Sequence, residues 1–509
     1  VDAYDVVVVG GGHNALVAAA YLARSGRSVL VLERLGHVGG AAVSASPFPG
    51  VRLSRYSYLV SLLPDQIVSD LGLRLTLRSR SVSSCTPIER DGVHTGLLVG
   101  GPDTAESFRA LTGSDAEYTR WQEFYAAMAL VAKAVAPTML EPLPSQDALR
   151  DLVTSAVGPD AWRWVFEQPL AQTLEEVFTD DVVRGVVATD GLIGTHTSLA
   201  DPDLAANRCF LYHVIGNGTG DWRVPIGGMG AVTGELARVA REAGADLRTS
   251  AEVVAIAADG TTAEVTYRHD DVEVTVAAHY VFSGVAPAVL DRLMGRPARP
   301  AAPGAQLKMN LLLDRLPRLR SGIRPEDAFA GTFHLDETYT DLETAYRESA
   351  EGRPPTRPPG EMYCHTLTDR SIVDSPTAHT LTLFGLHAPD TLFDTPGTRD
   401  VLVRRYLDGL DRYLLDPIES CLATVDGAPC LEARDPRDLE AELAMPRGNI
   451  FHGPLTWPHG TGWGVETDIP NVVRCASSTQ RGGGVSGLGG HNAAMSLLRP
   501  AAPDGRLEG

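Results

Sequence analysis

Four consecutive β-branched residues, Val6 to Val9, run without a break into Gly10-Gly11-Gly12-His13-Asn14-Ala15. A β-branched run of this kind is expected of a parallel strand buried on both faces. The glycine string reads G-x-G-x-x-A. It is followed by an apolar helical stretch, Leu16 through Leu22, that stops at Arg24-Ser25-Gly26. A second strand pattern, Ser28 to Leu32, ends in Glu33. Strand, glycine turn, helix, strand and acid at this spacing form the dinucleotide-binding βαβ fingerprint. Gly10 permits the tight turn, Gly12 lets backbone N–H groups approach a pyrophosphate, and Ala15 keeps helix and strand close. The start of the helix, His13 and Asn14 included, contributes partial positive charge toward that pyrophosphate. Glu33 stands where a carboxylate accepts hydrogen bonds from ribose hydroxyls.

At 509 residues the chain is too long for one ordinary core, so two lobes are expected. Its formal charge of −20 repels phosphate backbones and anionic headgroups, which argues against nucleic acid as a partner. Six cysteines are scattered without any C-x-x-C, so neither a metal site nor a redox dithiol is expected, and the thiols read as reduced and packed in a cytoplasmic protein. No stretch reads as a signal peptide or a membrane span. Glycines interrupt Val6 to Ala23, and Phe124 to Ala136 contains Lys133 and ends at Pro137. Peripheral membrane contact stays open, as does the oligomeric state.

Three further segments bear on which dinucleotide binds. Arg34-Leu35-Gly36-His37-Val38-Gly39-Gly40-Ala41-Ala42-Val43-Ser44 resembles the R-x-G-G-R-x-x-S/T stretch of the FAD superfamily that includes amine oxidases and phytoene desaturases. Gly39, Gly40 and Ser44 match, while Ala41 stands where that family has an Arg. Asp221 to Gly230, followed by a helix and then Ala245 to Ile256, resembles the family's return to its FAD domain. Val253 and Ile256 match the V-x-x-I that meets the adenine edge there. At the other end, Val472 to Ser477 leads into Arg481-Gly482-Gly483-Gly484-Val485-Ser486-Gly487, which is similar to the desaturase G-G-G-V-x-G signature. As a whole the chain resembles the phytoene desaturase and carotenoid isomerase group of the amine oxidase superfamily, and within it the set around pyridine nucleotide-disulfide oxidoreductase domain-containing protein 2. The absent cysteine pair argues against disulfide chemistry, and no second G-x-G-x-x-G/A suggests a dedicated NAD(P)H domain.

The resemblance implies an α/β fold. A discontinuous Rossmann-like FAD-binding domain would comprise 1–75, 219–290 and 441–509, and a mixed α+β substrate lobe would comprise 76–218 and 291–440. The first insertion reads as mostly helical, as in Trp121 to Ala136 and Ala148 to Val157; the second mixes strands such as Gln306 to Leu313 and His379 to His387 with helices. The cofactor contacts would come from Gly10, Gly12, His13, Asn14, Ala15, Glu33, Arg34, Gly39, Gly40, Ala41, Ser44, Val253, Gly483, Gly484, Val485 and Ser486. Hydride transfer needs mainly geometry, and a base only where the substrate also loses a proton. His452, His491 and His196 are the candidate catalytic residues. Each has a structural alternative as a cap, loop anchor or satisfied core histidine. Lys308 lies in an interlobe strand comparable to the one where amine oxidases place a Lys that holds water at flavin N5, with a surface position on its strand as the alternative. The expected reaction is two-electron oxidation of a mainly apolar or conjugated small molecule to a C=C or C=N bond, with oxygen or a quinone reoxidising the flavin. An amine oxidase, a redox-neutral isomerase and a flavin-bearing protein without turnover are the alternatives.

Overall fold

A computed structural model describes residues 2–218 and 220–499. Val1, Thr219 and residues 500–509, which fall in the expected cofactor segments, lie outside the described residues.

The Val6–Val9 run sits in a strand, Ala3–Val9, at the centre of a seven-stranded sheet and is at most 2% exposed. On one side it pairs in parallel with Val29–Leu32, which pairs in parallel with Asp246–Arg248. On the other it pairs in parallel with the long strand Val272–Ser283. That strand serves two partners along its far edge. Its first half continues antiparallel into Ala263–His269 and then Glu252–Ala258, and its last residues, Val281 to Ser283, pair in parallel with Val472–Arg474. Segments far apart in sequence therefore meet in one α/β sheet. The helix His13–Arg24 packs on it and is crossed by Leu488–Leu498. The crossing is close because residue 490 is glycine: a Cβ there would lie 1.9 Å from the carbonyl oxygen of Asn14.

A second seven-stranded sheet runs in the order Leu431–Arg434, Leu307–Leu313, His379–Gly385, Gly360–Tyr363, Thr332–Leu335, Ser84–Arg90, Val93–Val99. All neighbours are antiparallel except Thr332–Leu335 and Ser84–Arg90. The hairpin Ser84–Val99 is a finding against the mostly helical reading of that stretch. Pro87 faces Gly96 across the ladder, and neither residue type signals a strand. The expected helices form as Ala116–Val135 and Gln146–Val157, the second capped by the Ser145 hydroxyl on Ala148 N–H. They share a core of Phe124, Met128, Leu149, Val153, Phe178 and Phe210. Among the described residues one helical stretch, Ala116–Leu140, is long and apolar enough to cross a membrane by length and composition alone.

Candidate active site

A cavity of about 1080 Å³ opens where the glycine turn of the first sheet faces the second sheet. It is slightly above the usual range for small-molecule sites, large enough for more than a drug-sized ligand. Its lining divides into two ends of different chemistry.

One end is mainly backbone. Gly10, Gly11, Gly12, His13, Asn14, Ala15, Glu33, Arg34, Gly40, Ala41, Val253, Gly483, Gly484 and Val485 all line the cavity. The Glu33 carboxylate is fixed by the N–H groups of Gly11 at 2.7 Å and Leu35 at 2.8 Å, which leaves lone pairs for a ligand. The helix that starts at His13 has no acidic residue in its first turn, so its dipole is left for an anion. His13 Nε2 donates to the Gly484 carbonyl at 3.0 Å and ties the N-terminal turn to the C-terminal glycine loop. Burial lowers its pKa to about 4, so it stands there neutral. His452 also lines the cavity, in a left-handed backbone conformation (φ 60°), with its pKa lowered to about 4 by burial and by His13.

These residues fit a flavin dinucleotide. A Cβ on Gly12 would meet no protein atom within 4 Å, although one on its neighbour Gly11 would come within 2.9 Å of the Val38 side chain. The space before Gly12 is thus open at the place where a pyrophosphate belongs. Asn14 Oδ1 and His452 Nδ1 are buried, lie on lining residues and have no hydrogen-bond partner among the described residues. Both are polar atoms that a bound ligand would satisfy.

Several expected cofactor contacts lie elsewhere. Gly39 sits behind the lining, donating to the Gly11 carbonyl at 2.8 Å. Ser44 accepts from Gly230 N–H at 2.9 Å, next to Ser54, which accepts from Met229 N–H; the two hydroxyls cap the helix Met229–Glu242. Ser486 is fully buried and accepts from Leu488 N–H at 3.2 Å, at the start of the last helix. That helix begins at Leu488, four residues past Gly484, so loop residues rather than a helix end line the cavity there. Two of the three catalytic candidates are also outside the lining. His491 is buried between the Asn492 amide and the edge of Tyr21. His196 is held by the Ser349 hydroxyl at 2.9 Å and packs on Tyr346 and His387.

The other end is built of side chains that reach one wall through strand pairing. Lys308 is opposite Phe384, Phe384 is opposite Glu361, and Glu361 is opposite His334. All four line the cavity and form one row across four strands. Lys308 is 2% exposed, not a surface residue. Its ammonium donates to Asn310 Oδ1 at 3.1 Å and to Thr382, and lies 4.7 Å from the centre of the Tyr58 ring. Burial lowers its pKa to about 7. His334 pairs through Nδ1 with Glu337 Oε2 at 2.5 Å, and that carboxylate raises the pKa of His334 against the opposing effect of burial. Glu361 is raised to about 8 by burial and by the nearby Glu337 carboxylate. Arg80, Asp190 and Trp222 complete this end, and Trp121, Tyr125 and Met128 of the long helix form an apolar wall. Sequence reading passed over Glu361, His334, Asp190 and Arg80. The available signal was a lone ionisable residue among apolar strand neighbours, as in Phe333-His334-Leu335.

Residues 8–66 match the NAD(P)-binding Rossmann-like domain, and residues 66–372 match Flavin containing amine oxidoreductase. The chain is 45% identical over 519 residues to an uncharacterised protein of Mycobacterium tuberculosis, covering 97% of each. It is 29% identical over 557 residues to pyridine nucleotide-disulfide oxidoreductase domain-containing protein 2 of Mus musculus, covering 97% of this chain and 93% of that one. Putrescine oxidase bound to putrescine shares the fold with a TM-score of 0.59 at 18% identity, covering 97% of this chain and 98% of the other. Fold, cradle and matches agree on an FAD-dependent oxidoreductase, and the chain belongs to the flavin containing amine oxidoreductase family.

Proposed function

We propose that this enzyme oxidises a mainly apolar or conjugated small molecule, forming a C=C or C=N bond, and that oxygen or a quinone takes the electrons onward. The observation that carries this reading is the apolar wall of Trp121, Tyr125, Met128, Ala129, Ala132, Val186 and Ile193 on the side-chain end of the cavity. An extended apolar ligand buries surface there at about 25 cal/mol per Å², while the ionisable row works on one locus along it. Bound FAD supplies a two-electron acceptor. The chain supplies the rest: Glu33 and the glycine turns seat the dinucleotide, the two sheets enclose the substrate, and the walls exclude water. The nearer kin on this reading are desaturases. The six free, buried cysteines are consistent with the cytoplasmic setting it assumes.

Lys308 favours a second reading, a flavin amine oxidase. It is a buried amine with its pKa lowered to about 7, on a strand comparable to the one where such enzymes place a lysine. The aromatic rings and the Glu361 and Asp190 carboxyls would then receive an ammonium group.

Anaerobic titration of the holoenzyme with polyenes, terpenes, acyl thioesters and amines, followed by flavin absorbance, tests both readings. Bleaching by an apolar or conjugated compound supports the first, and bleaching by amines alone moves the assignment to the second. A flavin that dithionite reduces but no compound bleaches counts against both.

A further inference from the structure

We infer that Glu361, backed by the His334–Glu337 pair, is a proton-accepting group of the substrate cavity, so that the substrate gives up a proton to the protein as well as a hydride. This deepens the proposed function and rests on it.

The argument begins with placement. Glu361 and His334 are direct cross-strand partners, on strands Gly360–Tyr363 and Thr332–Leu335, and both face the cavity. Glu337 is 1% exposed and does not line the cavity. It stands behind His334 and engages Nδ1 at 2.5 Å, which fixes the ring and leaves Nε2 for the front. A carboxylate behind an imidazole behind a reactive position is an arrangement that orients and stabilises a proton carrier.

The charge inventory supports it. Ligating atoms of His334, Glu337 and Glu361 all lie within 4.8 Å of one another, and all three residues are buried. Two carboxylates so close in a low dielectric do not both ionise at neutral pH; one retains a proton. Glu337 is engaged by His334, while burial and the nearby Glu337 raise the pKa of Glu361. The charged and titratable groups facing Glu361 are Glu337, His334, Asp190, Arg80, Tyr58 and Cys209. Its raised pKa leaves a fraction ionised at neutral pH that grows as pH rises toward about 8, and that ionised fraction is the form that accepts the proton. Across Phe384 in the same row stands Lys308, so the apolar substrate wall ends on a line of exchangeable protons.

The step balances as follows. The substrate loses hydrogens from two adjacent atoms. One leaves as hydride, with its electron pair, to bound FAD. The other passes as a proton to the ionised Glu361 carboxylate, and the electron pair it leaves behind closes the new double bond. The substrate is oxidised, FAD is reduced, and the proton exits through His334.

The test uses the FAD-loaded protein and its Glu361→Gln variant, which keeps size and polarity but carries no exchangeable carboxyl proton. Infrared spectra in H2O and D2O should show a protonated carboxyl C=O band at neutral pH that fades as pH rises through about 8 and is missing in Glu361→Gln. With any compound that bleaches the flavin, Glu361→Gln should slow anaerobic reduction by about 100-fold or more and flatten its rise with pH, while dithionite reduction stays unchanged. His334→Gln should shift the infrared midpoint without removing the band. A band that persists in Glu361→Gln, or substrate reduction unchanged by it, overturns the inference. So does a Co2+ absorption spectrum in the visible that requires His334, Glu337 and Glu361, because the cluster would then hold a metal rather than a proton. If no compound bleaches the flavin, the proposed function fails, and the infrared band still decides whether Glu361 carries the proton.

Discussion

The two ends of the cavity solve recognition in opposite ways. The cofactor end uses main chain: the Gly10–Gly12 turn, a helix start free of acids, and the Gly483–Gly484 loop tied back by His13. Its histidines are neutral, and Glu33 is already held by two backbone N–H groups. The substrate end uses side chains whose ionisation is displaced by burial, with Lys308 pushed down and Glu361 pushed up. Backbone amides offer a fixed field that suits a ligand needing only to be held. Side chains with displaced pKa values can change protonation state during a reaction. The difference teaches where substitutions should act: shape at one end, charge state at the other.

The largest expected effect on cofactor binding tests the backbone end. Gly12 has φ −67° and ψ 167°, which any residue can adopt, and a Cβ there meets nothing within 4 Å. Gly12→Val therefore folds normally but fills the space before the turn. FAD affinity should fall by about 100-fold or more, roughly 3 kcal/mol. The flavin-to-protein absorbance ratio after gel filtration measures it, beside an unchanged melting temperature of the apoprotein. Full flavin retention would mean the open space before Gly12 is not the pyrophosphate site.

The next tests the charge end at Glu361. Its folded pKa of about 8 lies above its ordinary 4.5, so its stabilising share is complete below pH 4.5 and is lost as pH rises toward 8. Glu361→Gln removes that loss. The variant should gain stability over the wild type across pH 4.5 to 8, reaching about 4 kcal/mol. Urea unfolding at several pH values would show the gap widening. A constant gap would mean that Glu361 ionises as freely in the fold as outside it.

Lys308 should give the opposite slope from the same row. Its pKa falls from 10.5 to about 7, so the unfolded chain binds the extra proton and wild-type stability rises with pH between those values. Lys308→Met should be more stable than the wild type at pH 7, by about 4 kcal/mol, with the advantage shrinking to nothing near pH 10.5. The same variant should slow any flavin reduction that depends on the row. Paired unfolding curves for the Glu361 and Lys308 variants should cross in their pH dependence, and parallel curves would refute the opposite displacements.

The contrast also explains what the sequence made legible. Backbone recognition is local: Val6 to Ala15 and Glu33 carry the βαβ cradle within thirty residues, and the matching structure is the one those residues imply. The substrate row is assembled from four strands spread over residues 307–385, and only the register of three pairings puts Lys308, Phe384, Glu361 and His334 on one face. A slip of one residue in any pairing would turn those side chains to the other face, and no single-sequence pattern specifies register across such loops. His196 and His491 lie in or next to segments that the resemblance assigns to the FAD domain, yet their ring partners, Ser349 and Asn492 with Tyr21, take them out of the lining. Ser44 and Ser486 followed a family pattern in which position was legible, but their roles as helix caps depended on contacts with Gly230 and Leu488.

The smallest effect should come from removing a charge at the backbone end. Arg34 lines the cavity beside Glu33, and by charge alone it would rank as a phosphate anchor, all the more because Ala41 offers none. Its guanidinium, however, donates to the Glu442 carbonyl at 2.9 Å, which holds it against the segment that follows the second sheet. A partly exposed charge of this kind contributes little through solvent, and the turn's amides and the helix dipole would serve a pyrophosphate there. Arg34→Ala should therefore weaken FAD binding by less than about tenfold, under 1.4 kcal/mol, with a modest further decrease as salt is raised. Fluorescence titration of the apoprotein with FAD at two ionic strengths measures both. A loss as large as that of Gly12→Val would break the comparison, because the cofactor end would then depend on a side-chain charge as the substrate end does.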